Sequence, residues 1–261
     1  MANKKFGLKE VLDVVLYDTV TKKPVMVLDS LKVSSIENGS EEVSATGGRG
    51  NAKLISWDFG RTATLQMTDA LLSTKSFELL TGNKATTGNA TVYMRQDTVW
   101  DTSGATPVDK GDLFPLTASG SGAIELAYTP LELAADILVY ELDDDCGTPL
   151  AAGTLSGTTL TNVAWANKKL VVYYTFTAAN ATSFLISADK FPGTYKFVGS
   201  TVIRNAGTGK DEAFQVIINN LKFNSNFTLT MQAEGEPSAF DMSAQILRES
   251  TNTKMITMIQ Y

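Results

Sequence analysis

Two short motifs carry residue types that bind phosphate or attack a carbonyl in other proteins. Gly-Thr-Gly-Lys-Asp at 207–211 resembles the end of a phosphate-binding loop, in which backbone amides surround phosphate and a hydroxyl after the lysine holds magnesium. Here Arg204 replaces the motif's first glycine, and Asp211 would repel phosphate. Ser187 and Lys190 have the spacing of a Ser-Lys dyad, which requires a helix start, whereas this segment reads as a strand end. The sequence therefore predicts a hairpin turn at 207–211 and no hydrolase dyad.

Two other clusters have the charge or the backbone freedom to hold an ion. The three consecutive acids at 143–145 offer oxygens for calcium, but in an extended segment they point to alternate sides. We predict a solvated turn closed by Gly147 instead. The glycine-rich run 47–51 could form an anion-binding nest of backbone amides. A single arginine beside Glu41 and Glu42 favours that nest only weakly, and a flexible arm that orders against a partner explains the run equally well.

The composition removes several catalytic classes. The 261 residues include no histidine and one cysteine, Cys146, which excludes Ser-His-Asp and Cys-His catalysis, His-ligated zinc and any intrachain disulfide. The net charge of -6 disfavours sequence-independent binding to nucleic acid. We expect no catalysis, no cofactor, no metal, no secretory signal and no membrane segment, with Cys146 an inert thiol in a turn.

The elements that would position these residues are mostly strands. Short alternating segments rich in Val, Ile, Thr, Tyr and Phe, separated by Gly, Asn and Asp, are typical of an all-β protein. One helix is predicted at 68–80, capped by Thr68 and followed by Gly82, and it must lie on a sheet. Before it, strands at 53–59 and 61–67 meet at Gly60, which we expect to be a bulge or sharp bend. The segment 37–51 is predicted to be a long flexible loop.

Further strands are predicted on both sides of this region. Two at 11–17 and 24–28 read as a hairpin, and a turn-rich middle block carries several more. The last third is the most regular, with strands at 183–188, 193–203, 212–221, 226–234, 240–247 and 255–261 and a turn at 235–238.

Two stretches resemble the tail tube (major tail) proteins of tailed bacteriophages. One is 47–80, beginning GGRGNAKLISWDFGR, and the other is 191–261, which includes AEGEPSAFDM. The resemblance implies a mainly β fold: a β-sandwich or half-open barrel of tail-tube type with one short flanking α-helix. The tube core would comprise 1–96 and 191–261, and 97–190 would be an inserted β-sandwich-like lobe.

The resemblance also implies what the protein does. We expect a virion structural protein made in the host bacterial cytoplasm, a subunit of hexameric rings that stack into a tube for genome ejection. Its partners would be copies of itself, other tail proteins (tape measure, sheath or terminator), and double-stranded DNA that passes through without specific binding. By this resemblance the inter-ring contact loop comprises Glu41, Glu42, Gly47, Gly48, Arg49, Gly50 and Asn51.

Three alternatives stay open on sequence alone, and the least favoured is an enzyme with carboxylate chemistry, because spacing alone does not identify a catalytic pair of acids. The extra middle block would also suit another tail or baseplate component. A β-sandwich module that binds a receptor or carbohydrate would expose aromatic side chains, and Trp100 and Trp165 are the residues to suspect, although core packing would equally explain them.

Overall fold

The computed structural model describes residues 5–229, 239–249 and 252–261. The chain divides into two compact units. The first combines the chain up to Ala85 with the chain from Phe184 onward, and the second is Thr86–Ser183. The strands and the helix, in chain order, are β1 Phe6–Leu8, β2 Asp13–Asp18, β3 Pro24–Leu28, β4 Leu31–Gly47, β5 Ala52–Asp69, α1 Thr74–Thr81, β6 Thr86–Gln96, β7 Trp100–Asp101, β8 Val108–Asp109, β9 Ala123–Glu125, β10 Leu138–Glu141, β11 Thr154–Ser156, β12 Thr159–Thr161, β13 Leu170–Ser183, β14 Thr194–Asn205, β15 Asp211–Phe223, β16 Phe240–Ile246 and β17 Ile256–Gln260.

In the described residues the first unit forms a nine-stranded sheet, whose main path has the order β3-β2-β14-β15-β16-β5-β4. β1 also pairs with β14, and β17 also pairs with β15. Every pairing is antiparallel, and alternate side chains enter one core, as Val14 and Leu16 of β2 do. The mainly β prediction with one helix is confirmed, and within the described residues the sheet does not close into a barrel.

The helix is shorter than predicted and begins later. The chain at 66–69 pairs with both β16 and β4, so β5 continues to Asp69 and the helix starts at Thr74. The N-cap is Ser73, whose hydroxyl accepts from the Ser76 amide at 3.1 Å; Thr68 as cap was wrong. The predicted end is confirmed: Gly82 has φ 71° and its amide donates to Glu78 O at 3.0 Å.

The prediction of a flexible loop at 37–51 was also wrong. Most of this segment is strand, since β4 runs to Gly47 and pairs with β5 along nearly its whole length. Only 48–51 form the turn between them. The glycines that suggested flexibility occupy that turn and the middle of the ladder, where cross-strand hydrogen bonds hold the backbone.

The second unit has its own hydrophobic core between small antiparallel sheets, β10-β13-β6 and β11-β12-β9. The buried Gln96 side chain satisfies its polar atoms: its oxygen accepts from the Ala127 amide and the Tyr174 hydroxyl at 2.9 and 3.0 Å. Burial raises the pKa of Tyr174 to about 12. Trp165 is wholly buried in this core, so it is not an exposed binding aromatic.

The predicted C-terminal strand is confirmed as β17. The strand predicted at 226–234 is not formed over 226–229, and its remainder lies outside the described residues, as does the turn at 235–238.

Candidate assembly surface: the projecting hairpin

The hairpin of β4 and β5 extends well beyond the sheet that anchors it. β16 pairs with β5 only from Thr64 to Asp69, and beyond that the described chain offers β5 no partner except β4. The ladder continues to the Gly47–Ala52 pair. The part past the Glu41–Phe59 pair is about 20 Å long, at roughly 3.4 Å per residue. This distal hairpin is a two-stranded ribbon, and all β5 residues from 52 to 61 are exposed.

A bulge at Gly60 changes which side chains share a face. Gly39 pairs with Thr62 and Glu41 with Phe59, so β5 has one more residue than β4 between these pairs. Gly60 has φ 57°, a left-handed conformation that suits a bulge glycine. On the side of the bulge nearer the sheet, the odd-numbered residues of β5, such as Leu65, point to the core. On the side nearer the tip of the hairpin, the odd-numbered residues of β5 lie on the opposite face of the ladder, because the extra residue reverses the alternation.

One face of the distal hairpin is therefore apolar, and no part of the chain that the structure describes covers it. Val43 lies opposite Trp57, Ala45 opposite Ile55, and Glu41 opposite Phe59, all on this face. Val43, Ile55, Trp57 and Phe59 are each between 51% and 55% exposed, which is the exposure left when cross-strand neighbours are the only packing. Contiguous apolar patches rimmed by polar residues mark interaction sites. We call these four residues the apolar face.

The other face is polar and internally hydrogen-bonded. Glu42 lies opposite Asp58, and Ser44 opposite Ser56. The Glu42 carboxylate accepts from Lys53 Nζ at 2.5 Å and from Ser44 Oγ at 2.9 Å. The hydrogen bond from Lys53, helped by those from the two serines, lowers the pKa of Glu42 below its ordinary value. The network fixes the ribbon while leaving the apolar face free.

Replacing Lys53 with methionine should raise the pKa of Glu42 back toward its ordinary value, because the largest cause of its lowering is lost. Carboxyl chemical shifts of Glu42 followed through an NMR pH titration measure this. Lys75→Met, which removes a partner of Glu78 on the helix, is the control and should leave Glu42 unchanged. An unchanged pKa of Glu42 in the Lys53→Met variant would contradict a role for this hydrogen-bond network.

The turn at the tip contains most of the residues that the sequence singled out. Gly48, Gly50 and Asn51 have φ of 78°, 90° and 50°. The Asn51 amide donates to Gly48 O at 3.1 Å, so it is already used and does not serve an anion nest. Arg49 is exposed at the end of the ribbon.

The predicted contact residues thus fall in three places. Gly47 and the turn form the tip, Glu42 belongs to the polar face, and Glu41 lies at the base of the distal hairpin opposite Phe59. Sequence reasoning missed the apolar face. The alternation of Ile55, Trp57 and Phe59 was visible, but an alternating strand is ordinarily half-buried. Nothing in the sequence showed that no second layer from residues 5–229, 239–249 or 252–261 packs on this strand.

The other motifs serve local structure. The run 207–211 is the turn between β14 and β15, as predicted, closed by the Arg204–Asp211 ion pair at 2.6 Å. Ser187 and Lys190 flank a turn rather than start a helix. At 143–145 the first two acids lie in a 3-10 turn, and the Asp145 carboxylate accepts from Arg95 Nη2 at 2.9 Å.

Cys146 and Trp100, which the sequence also singled out, have surroundings that fit a structural role. Cys146 is exposed, as expected for a turn, with its sulfur 3.6 Å from the Tyr173 hydroxyl. Trp100 is half-buried against Tyr128, with ring centroids 6.1 Å apart.

Comparison with known protein families shows which family the chain belongs to. The model of the YomU/Tube protein family matches residues 6–260, which include both the hairpin and the whole second unit. The chain belongs to the YomU/Tube protein family. Comparison with curated proteins finds no match.

Membership of the YomU/Tube family agrees with the resemblance to tail tube proteins and extends it from two stretches to nearly the whole chain. A Tube family member is a structural component of a phage tail, and therefore of the virion. A structural family of this kind favours a role without catalysis. No group of three or more metal-ligating side chains occurs in the portion that the structure describes.

Proposed function

We propose that this YomU/Tube protein is the repeating subunit of a phage tail tube, assembling as hexameric rings that stack around the path of the ejected genome. The observation that carries the proposal is the distal hairpin, a ribbon with a rigid polar face and an uncovered apolar face. In a lone subunit these side chains stay in water, at a cost of about 25 cal/mol per Å² of apolar surface. Contact with neighbouring copies removes that cost.

The same hairpin supplies the contact between rings. Its tip, from Gly47 to Asn51, reaches farthest from the anchoring sheet, and Glu41 and Glu42 lie at the other end of the distal ladder. A ribbon that projects about 20 Å is long enough to span from one ring onto the next. The tip then makes the polar part of the contact, and the apolar face makes its hydrophobic centre.

The remaining partners follow from charge and from the open ends of any tube. The net charge of -6 suits a conduit through which double-stranded DNA passes without specific binding. At the two ends of a stack of rings, either the hairpins or the surfaces that they contact have no neighbouring ring. A terminator protein at one end and a baseplate protein at the other would bind there. The tape measure protein would fill the lumen before ejection, and a sheath, in a contractile tail, would surround the tube.

A second candidate, a receptor- or glycan-binding module, is favoured by one feature of the second unit. Tyr93 of β6 is 85% exposed, on the sheet face that it shares with Arg95 and Tyr173. An aromatic side chain left this open suits stacking on a ligand.

Negative-stain electron microscopy of the purified protein tests the two candidates. We expect six-fold rings or tubes as the concentration rises. Monodisperse monomers that bind glycans on an array, with no rings at any concentration, would contradict the tube proposal and support the second candidate.

A further inference from the structure

The second unit has a sheet face that lies away from its own core. Alternate residues of β6 and β13, such as Met94 and Tyr174, enter that core. Tyr93, Arg95 and Tyr173 therefore lie on the opposite face, which we call the tyrosine face. These three side chains line a shallow depression of about 320 Å³. A depression of this size is at the lower end of small-molecule sites, so it suits one compact ligand unit.

The two tyrosines of this face are placed so that one ligand can touch both. Tyr173 pairs with Arg95 and Thr175 pairs with Tyr93, so Tyr93 and Tyr173 are diagonal neighbours across the two strands. Diagonal side chains of an antiparallel pair begin about 7–8 Å apart. Tyr93 is mostly exposed, so its ring offers a broad surface on which a ligand can stack.

Two carboxylates hold the other members of the tyrosine face in place. Asp145 accepts from the Tyr173 hydroxyl at 2.7 Å and from Arg95 Nη2 at 2.9 Å. Arg95 Nη1 donates to Asp97 as well. The hydrogen bonds from Tyr173 and Arg95 lower the pKa of Asp145, so this acid stays ionised at neutral pH. A ligand that binds here therefore meets side chains that are already ordered.

The charge of this cluster disfavours an anionic ligand. Arg95 forms ion pairs with both Asp97 and Asp145, so one positive charge stands against two negative charges. A phosphate or carboxylate brought onto Tyr93 would be repelled by the excess negative charge. The net charge of -6 on the whole chain acts in the same direction. A neutral ligand is therefore favoured.

The same carboxylates disfavour a purely apolar ligand. The side chains of Asp97 and Asp145 keep 30% and 27% of their surface exposed. An apolar surface pressed against them would remove this water and offer no hydrogen bond in return, which is costly. An ionised carboxylate has roughly four acceptor positions, and the bond from Arg95 uses one of those on Asp97. Hydroxyl groups of a ligand can use the others.

We propose that the tyrosine face binds a neutral sugar unit of a polysaccharide, which stacks a C–H face on Tyr93 and donates hydroxyl hydrogen bonds to Asp97. A sugar ring has apolar C–H groups beside hydroxyl donors, and the negative face of an aromatic ring attracts such C–H groups. This inference names the ligand class and the contacts of the binding candidate above. It concerns the second unit alone, so it holds equally for a free subunit and for a subunit of a tube.

Binding to defined saccharides tests the assignment. The full-length protein is applied to an array of neutral hexasaccharides of glucose, galactose, mannose, rhamnose and N-acetylglucosamine, with hyaluronan and polysialic acid as anionic probes. Isothermal titration calorimetry then measures the affinity for each saccharide that binds. We expect binding to at least one neutral saccharide and none to the anionic probes at the same concentration.

Variants of the tyrosine face show whether this binding uses the assigned contacts. Tyr93→Ala should weaken it by roughly tenfold or more, because the stacking ring is lost, whereas Tyr93→Phe keeps the ring and should stay within a few-fold of the parent. Asp97→Ala should also weaken binding, since it removes the acceptor while Asp145 still holds Arg95. Tyr261→Ala removes an exposed tyrosine of the first unit and is the matched control, which should have no effect. Circular dichroism verifies that each variant is folded.

The outcomes separate this inference from the tube function. Absence of binding to every saccharide of the array, or binding that Tyr93→Ala leaves unchanged, would overturn the inference and leave the tube proposal standing. Preference for the anionic probes would overturn it as well. If Tyr93→Ala instead raises the concentration needed for assembly and the parent binds no saccharide, the tyrosine face is a contact between copies and the inference is wrong. Saccharide binding through Tyr93 by a parent that forms neither rings nor tubes would support the inference and contradict the tube proposal.

Discussion

Replacing Trp57 and Phe59 together with threonine should raise the protein concentration needed for tube assembly by roughly 100-fold, or about 3 kcal/mol per subunit. Each side chain is about half exposed in the lone subunit. Covering what remains would bury on the order of 200 Å² for the pair, worth about 5 kcal/mol before the cost of ordering the contact. Threonine keeps strand propensity, so the hairpin itself should persist.

The matched control lies on the same strand and uses the same replacement. Ser56→Thr with Asp58→Thr changes two residues of the polar face, which lie opposite Ser44 and Glu42. Sedimentation of assembled protein across a concentration series measures both variants, and the control should stay within a few-fold of the parent. Tubes formed by Trp57→Thr/Phe59→Thr at the parent's concentration would show that the apolar face is not an assembly surface.

Replacing Gly82 with alanine should destabilise the first unit by about 3 kcal/mol, from two separate causes. At φ 71° an L-residue at this helix end pays about 1–2 kcal/mol for the left-handed conformation. In addition, a Cβ built on Gly82 would lie 2.3 Å from the backbone oxygen of Phe191, and backbone cannot move aside as a flexible side chain can. Either the helix end or the chain at Phe191 must shift.

Gly209→Ala isolates the first cause, the cost of the left-handed backbone conformation. Gly209 has φ 68° and nothing within 4 Å of the position that its Cβ would take. The Gly209→Ala variant should therefore lose only about 1 kcal/mol of unfolding free energy. Denaturant unfolding followed by circular dichroism compares the two, in the Trp57→Thr/Phe59→Thr background so that assembly does not add to the measured stability. Equal losses in the two variants would show that the contact with Phe191 contributes nothing.

The sequence predicted the local features whose causes are local. The end of the helix at Gly82 and the turn at 207–211 depend on backbone conformations that glycine favours, so residue type alone indicates them. The hairpin of β2 and β3 follows from alternation around a short polar turn. Even the bulge at Gly60 was indicated, because a lone glycine between two alternating runs has few other roles.

The misplaced features depend on partners distant in sequence. Thr68 has the residue type of a helix cap, but its hydroxyl donates to Asp241 at 2.6 Å and its backbone is in the sheet, so pairing with β16 overrides the local preference. The segment 37–51 has a loop's composition, yet β5 supplies a complete ladder of partners for it. Single-residue preferences are worth less than a row of cross-strand hydrogen bonds and side-chain contacts.

By itself the sequence determined the mainly β class, the absence of histidine chemistry and the family. Composition, alternation and the order of motifs are all properties of the linear chain and do not depend on which distant segments pair. Only the tertiary structure decided which surfaces are left uncovered. The same alternation buries Leu65 and exposes Trp57, eight residues away on one strand. The difference comes from the bulge between them and from the strands that pack against one end of the hairpin and not the other.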